Sequence, residues 1–394
     1  MKNQIRTLVT VFSLFFCYAC SQANGLIVCI ADQTSIDSIL ADNPVIQEVD
    51  HAGKSPFFRF EVDSNWAELL ESSLLADKRI VWVESETPSG FRQQRSSHGS
   101  SVAAIFDRSA SFDRNSDVQG QINFRTFDRI RSALRVGVVD TGVSPLQPSI
   151  CLKVVAGESF VDGSSSIDDL PTNIDTNMNG VFDEGAGHGT MIAGIILRTA
   201  PNCDLVIAKS ADSDGIASSW SVIKGVVFFV ENRAKLINLS LGSSKPLTGF
   251  SQFLDWVEDS GSLIIAPAGN NNQNGSLFPA GYPKVVCVTG LLPDNTKAPF
   301  SNWDSCARVA APATGIFGHW YDGGTTNWSG TSLAAPFVTG SLASAMGNNP
   351  NPSPGFLRYA LVASGVDIDD LNPLYRGQLG KLLDVESLAE MLRG

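Results

Sequence analysis

Three side chains of this 394-residue chain are worth little singly and much together: Asp140, His188 and Ser332. A serine hydroxyl becomes a useful nucleophile only when a neutral imidazole accepts its proton. The imidazole in turn needs a carboxylate that fixes its tautomer and stabilises the imidazolium. Each residue also has an ordinary reading: Asp140 before Gly142 as a turn former, His188 between Gly187 and Gly189 as a structural ring, Ser332 as a helix cap. The three types in the order Asp, His, Ser favour chemistry. Ser332 lies in SGTSLAAPFVTG, at the predicted start of a helix, where a backbone N–H lacks an intrahelical partner and can face an anion.

The elements that must position these groups are legible around them. Apolar, β-branched runs (VGVVD, DLVIAKS, LINLSL, SLIIAPAG, VVCVTG) alternate with helical patterns in HGTMIAGIILRTA, SSWSVIKGVVFFVENR and FSQFLDWVEDSG. Such alternation predicts a parallel sheet covered on both faces, hence a three-layer α/β domain over residues 131–394. Open α/β sheets gather functional groups at the carboxyl ends of their strands, where Asp140 and Asn270 fall. Upstream, residues 24–86 read β-α-β-β-α-β: LIVCIAD, a helix from Ser35 to Ala41, VIQEVD, FFRFEV, a helix from Trp66 to Ala76, and RIVWVE. That order suits a small ferredoxin-like α+β domain. Residues 87–130 open on TPSGFRQQRSSHGSS, without a sustained apolar period, and predict an exposed linker with a processing site.

Composition excludes several functions. A content of 43% hydrophobic and 17% charged residues is globular, and a formal charge of −12 supplies no basic footprint for nucleic acid. Residues 1–23, with Lys2 and Arg6 ahead of an apolar run from Leu8 to Ala19, read as an export signal; Cys20 is an alternative point of lipid attachment. No second segment reads as spanning a membrane. No G-x-G-x-x-G follows VGVVDTGV, which disfavours a nucleotide-binding enzyme. The seven cysteines form no close C-x-x-C pair in the mature region, and His51, His98 and His319 lack metal-ligand spacing. DTNMNGVFDE places Asp175, Asn177, Asn179 and Asp183 at positions one, three, five and nine of a calcium-type loop, but position twelve is Ala186; a plain Asn-rich turn is the alternative.

VVDTGV, GHGTMIAGI and SGTSLAAPFVTG resemble the Asp, His and Ser motifs of subtilisin-like serine peptidases, family S8, and IIAPAGNNN is similar to the segment that carries the family's oxyanion asparagine. The resemblance runs from about Val136 to the C-terminus. It implies a secreted endopeptidase acting through an acyl-enzyme on Ser332, with Asp140, His188 and Asn270 in support and an inactive, binding-only relative as the alternative. INLSLGSS looks like the family's substrate strand, so Ser240, Leu241 and Gly242 would pair with a peptide substrate, and Ala268 and Gly269 would line a side-chain pocket. Residues 24–86 resemble the family's inhibitory propeptide, making that segment a partner of its own enzyme in a self-processed zymogen. No cofactor is implied for the chemistry, and calcium only in a structural role. Phe337 and Ala335 stand where histidine and serine are common, and Ala313 and Thr314 where a Pro-Gly turn is usual. VVCVTG and DSCARVAA read as neighbouring strands of this region, so Cys287 and Cys306 are expected to pair, leaving Cys151 with Cys203.

Overall fold

The computed structural model describes residues 24–86, 91–92, 116–124, 134–161, 164–347 and 351–393. The expected export signal, with Cys17 and Cys20, and most of the expected linker, with His98, lie outside the described residues. The chain divides into two compact units, Met1–Glu86 and Thr87–Gly394.

In the first unit β1 (Asn24–Ile30), α1 (Ile36–Asp42), β2 (Ile46–His51), β3 (Phe57–Val62), α2 (Ala67–Leu75) and β4 (Ile80–Ser85) follow one another. The sheet order is β2-β3-β1-β4, antiparallel throughout, which is the expected ferredoxin-like arrangement. Strand periodicity of two explains the core. Leu26 and Val28 of β1 stand opposite Phe60 and Phe58 of β3, and all four are buried with Leu70 and Leu74 of α2.

The second unit contains, in chain order, β5 (Phe91–Arg92), α3 (Ser116–Gln121), β6 (Arg135–Asp140), α4 (Pro148–Cys151), β7 (Val154–Ser159), α5 (His188–Thr199), β8 (Asp204–Lys209) and β9 (Ile216–Ala217). It continues with α6 (Ser219–Glu231), β10 (Leu236–Leu239), α7 (Phe250–Asp259), β11 (Leu263–Pro267), β12 (Val286–Leu291), β13 (Val309–Pro312), β14 (Ile316–His319) and β15 (Thr325–Trp328). Then come α8 (Thr331–Ala345), α9 (Pro354–Ser364), β16 (Lys381–Leu382) and α10 (Val385–Arg393). Eight strands form one parallel sheet in the order β16-β13-β12-β11-β10-β6-β8-β7. Val136 and Val138 of β6 face a core shared with Ile192 and Ile195 of α5 and Leu333 and Phe337 of α8. Gly137 between them faces α6, so closely that a side chain there would meet the Phe229 ring at 2.5 Å. Helices on both faces give three layers. Each fully buried Val, Leu or Ile of these strands stabilises the fold by roughly 1.5–3 kcal/mol.

Two expectations need correction. The segment taken as a featureless linker contains β5 and α3; α3 is held because Val118 and Ile122, four apart, pack on the main core, and Gln121 Nε2 donates to Leu292 O at 2.8 Å. The expected disulfides are not formed: Cys151, Cys203, Cys287 and Cys306 are free thiols. Cys151 is exposed while Cys203 is fully buried, so those two have no common surface. Cys287 and Cys306 do approach one another. Both lie against Ser276 Oγ, at 3.2 and 3.6 Å; their mutual hydrogen bond, and then burial, raise the Cys287 thiol, while the same hydrogen bond holds Cys306 below its usual value against the effect of burial.

Candidate active site

The parallel sheet sets the site at its carboxyl edge, where the chain reverses its direction of travel between β6 and β10. Asp140 ends β6. His188 opens α5, and Ser332 is the second residue of α8; Asn270 follows β11 by three residues, and Ser240, Leu241 and Gly242 leave β10 directly. The ends of three strands and the starts of two helices thus bring these residues to one edge.

Asp140 and His188 are both almost fully buried, and Nδ1 of the ring lies 2.7 Å from Asp140 Oδ1. Oδ1 also accepts the Thr141 N–H at 2.9 Å. With Nδ1 bound to a carboxylate, the ring proton belongs there and Nε2 is left as a base. Nε2 is buried without a hydrogen-bond partner among the described residues. The Trp328 ring stands edge-on to the imidazole at 5.6 Å and keeps one side of it apolar. Local backbone explains the entry of α5. Gly187 takes the left-handed conformation at φ 88°, which favours glycine, and a side chain there would strike Trp320. Gly189 passes Gly142 so closely that a side chain would lie 2.3 Å from its carbonyl oxygen.

Asn270 is held by its own oxygen. Oδ1 accepts the Thr331 N–H and the Thr331 hydroxyl, each at 2.8 Å, which turns the amide nitrogen toward Gly330. A methyl group placed on Gly330 would sit 3.3 Å from Ser332 Oγ, 3.4 Å from Asn270 Nδ2 and 3.9 Å from Ser332 N. A hydroxyl and two N–H donors therefore surround one small space, the geometry that a nucleophile and an oxyanion hole require. Ser240 turns inward: its hydroxyl donates to the Ser332 carbonyl at 3.0 Å and accepts from Asn238 Nδ2 at 2.8 Å, tying β10 to α8. Leu241 and Ala268 are buried, and Leu277 packs against both Gly242 and Gly269.

Sequence reasoning missed three supports of this site. Asp169, fully enclosed, accepts the Gly187 N–H at 2.8 Å, the Thr190 N–H at 3.0 Å and the Thr190 hydroxyl at 2.6 Å, and so fastens the start of α5. Burial raises its carboxyl above the usual range. Leu277 and Asn302 are the others. Asn302 lies in FSNWDSCARVAAPATGI, a family-like segment, but no reading of that segment gave it a role, and no periodicity announces Asp169 or Leu277.

Of the four expected calcium ligands, Asp183 leaves the other three. Asp183 turns to the backbone N–H groups of Thr172 and Asn173, at 2.7 and 2.9 Å from its two oxygens. Glu184 takes its place beside Asn177 and Asn179, whose amides it accepts at 3.3 and 2.7 Å. Asp175 accepts the Asn179 and Gly180 N–H groups at 3.1 and 2.8 Å, as the first residue of a cation loop does. Among the described residues no three His, Cys, Asp or Glu side chains are grouped to hold a metal. His51 instead stacks on Phe58 and bonds Ser55 O, and His319 bonds Gln147 Oε1.

Comparison with known proteins agrees with this geometry. The model of the subtilase family, peptidase S8, matches residues 131–376. Subtilisin DY of Bacillus licheniformis is 30% identical over 270 residues, covering 65% of this chain and 91% of that protein. The crystal structure of a cold adapted subtilisin-like serine proteinase superposes with a TM-score of 0.57 at 28% identity, over 68% of this chain and 97% of that one. The epidermin leader peptide processing serine protease of Staphylococcus aureus shares the fold at 17% identity with a TM-score of 0.69, over 94% of this chain and 98% of that one.

Proposed function

This chain belongs to the subtilase family and is a serine-type endopeptidase, and from that premise we propose that Asp140, His188 and Ser332 are its catalytic triad and Asn270 its oxyanion donor. One observation carries the assignment: the Ser332 hydroxyl, the Ser332 N–H and the Asn270 amide converge in front of Gly330. Ser332 Oγ attacks the peptide carbonyl carbon as His188 Nε2 takes the hydroxyl proton. Asn270 Nδ2 and Ser332 N–H donate to the tetrahedral oxygen, and Asp140 holds Nδ1 protonated against the new imidazolium charge. His188 passes its proton to the leaving amine, the C–N bond breaks, and water repeats the sequence on the acyl-enzyme. The backbone of Ser240, Leu241 and Gly242 receives an extended substrate by strand addition, with Ala268 and Gly269 at the pocket for the residue before the cut.

The chemistry needs no cofactor. Calcium is read only in a structural role, for which the loop of Asp175, Asn177 and Asn179 is the candidate segment, with Glu184 beside the two amides where Asp183 was expected. The protein is further read as an exported zymogen with residues 24–86 as inhibitory propeptide, the small ferredoxin-like unit lying upstream of a linker whose Phe91 and Arg92 pair antiparallel with Ala217 and Ile216. No helix of the described residues is long and apolar enough to cross a membrane. Ser332→Ala tests the central reading: hydrolysis and fluorophosphonate labelling should both vanish in a folded protein that accumulates as the uncut precursor. Undiminished hydrolysis would sink the triad, and normal processing in a purified system would sink self-cleavage.

A further inference from the structure

Asn270 has to hold its amide in place against the pull of a forming oxyanion, yet it sits in a turn with three successive asparagines and no regular secondary structure. Something outside the turn must fix it. Behind the turn lies Asn302, which is fully buried and whose side chain is saturated with backbone partners. Its Oδ1 accepts the N–H of Asn271 at 2.9 Å and of Gln273 at 3.3 Å. Its Nδ2 donates to the carbonyls of Ala268 at 3.3 Å and Gly275 at 3.1 Å. Its own backbone N–H reaches Gly269 O at 2.9 Å. One residue thereby touches the main chain on both sides of Asn270, at 268, 269, 271, 273 and 275. Gly269 is fitted to it: at φ 113°, in the left-handed region, it leaves the space in which a side chain would come within 2.6 Å of Asn302 Nδ2.

The brace has a second member. Lys297 is buried, and its ammonium donates to Asn272 Oδ1 at 2.9 Å, Ser301 O at 2.8 Å and Ala298 O at 3.1 Å. It also faces the rings of Trp303 and Tyr375 at 4.9 and 5.0 Å. An ammonium among three oxygens and two aromatic faces does the work of a bound cation, drawing the Asn272 turn and the 298–301 turn together. Buried amide and cation networks of this kind specify one arrangement because leaving any member unpaired is costly.

We propose that Asn302, backed by Lys297, is a positioning residue for catalysis, which sets the Asn270 amide and the adjoining pocket edge for the transition state. The inference rests on the oxyanion role of Asn270. The Asn302 side chain touches no reacting atom; it acts through the turn it spans. A displaced donor loses most of its worth, since oxyanion stabilisation depends on geometry at the moment charge develops.

A double-mutant cycle tests it on the mature enzyme. Asn302→Ala should lower kcat by about 10-fold to 100-fold with KM within about 3-fold of the parent. In an Asn270→Ala background the same change should cost less than about 3-fold in kcat, because the donor it serves is already gone. Its effect on melting temperature should be the same in both backgrounds. An equal kcat loss in both backgrounds, or a loss carried by KM alone, would overturn the positioning role and leave Asn302 a purely structural residue. If Asn302→Ala does not fold, Lys297→Met, which keeps the apolar stem, runs the same cycle with the same criteria. Failure of Asn270→Ala itself to lower kcat would instead refute the oxyanion assignment, so the two failures are separable.

Discussion

Two imidazoles of the second unit, one buried and one half-buried, differ in what their Nδ1 touches. His188 meets the Asp140 carboxylate at 2.7 Å; His319 meets the neutral Gln147 amide oxygen at 2.9 Å. Burial, and then the nearby Arg198 charge, pull His319 down to about 4. The sign of the consequence follows. Unfolded His319 takes its proton near pH 6.5 and the folded ring only near 4, so between those values the unfolded chain binds more protons and stability falls as pH falls. At about 1.4 kcal/mol per unit, discounted for the partial exposure of the ring, the loss comes to roughly 2 kcal/mol. Melting curves of the Ser332→Ala protein from pH 7 to 4 should show this decline, and His319→Gln should flatten it. An identical slope in the two proteins would assign the acid sensitivity to other groups. At this scale the proposed triad could be picked out, because VVDTGV, GHGTMIAGI and SGTSLAAPFVTG are local strings. Asp169 was not: in SIDDLPT it looks like any loop carboxylate until the fold carries it to the start of α5.

Among elements, the loop from Asp175 to Glu184 shows how far a motif reaches. Its spacing correctly suggested oxygen-rich turns, and Gly180 takes φ 83° as such a loop demands. The choice between Asp183 and Glu184 depended on Thr172 and Asn173, ten or eleven residues back, which claim the Asp183 carboxylate. Binding of calcium only by the folded state raises stability by mass action, about 2.7 kcal/mol when the ion is a hundredfold over its dissociation constant. Transfer from chelator to saturating calcium should therefore raise the melting temperature by roughly 5 °C, and Asp175→Ala should abolish the response. A melting temperature indifferent to calcium would remove the ion from this protein's account. Strands were readable for a simpler reason: in a sheet covered on both faces, nearly every residue of β8, β10, β11 and β12 must be apolar or small. The short β5 had no such signal, since two residues cannot display a period.

For the whole molecule, Phe91 is one point at which the linker segment meets the peptidase fold. It is 1% exposed, its strand pairs with β9, and its ring lies 6.2 Å from Phe250. An aromatic anchor with backbone pairing is how an extended peptide adds to a sheet edge. The separately made segment 24–95 is expected to inhibit the mature enzyme, and Phe91→Ala in that segment to weaken inhibition by about 10-fold or more. A segment that neither binds nor inhibits would overturn the propeptide reading. The amino-acid sequence by itself determined the reactive residue types, their order, the parallel sheet and the β-α-β-β-α-β unit, because all of these are written in covalently local strings and periodicities. Only the tertiary structure decided that Cys287 and Cys306 share a hydroxyl instead of a bond, that Leu277 closes on two glycines, and that Asn302 spans the turn of Asn270. The physical reason is range: a buried hydrogen bond between residues about thirty positions apart has no local pattern, and it exists only once packing has removed the water that would otherwise compete for it.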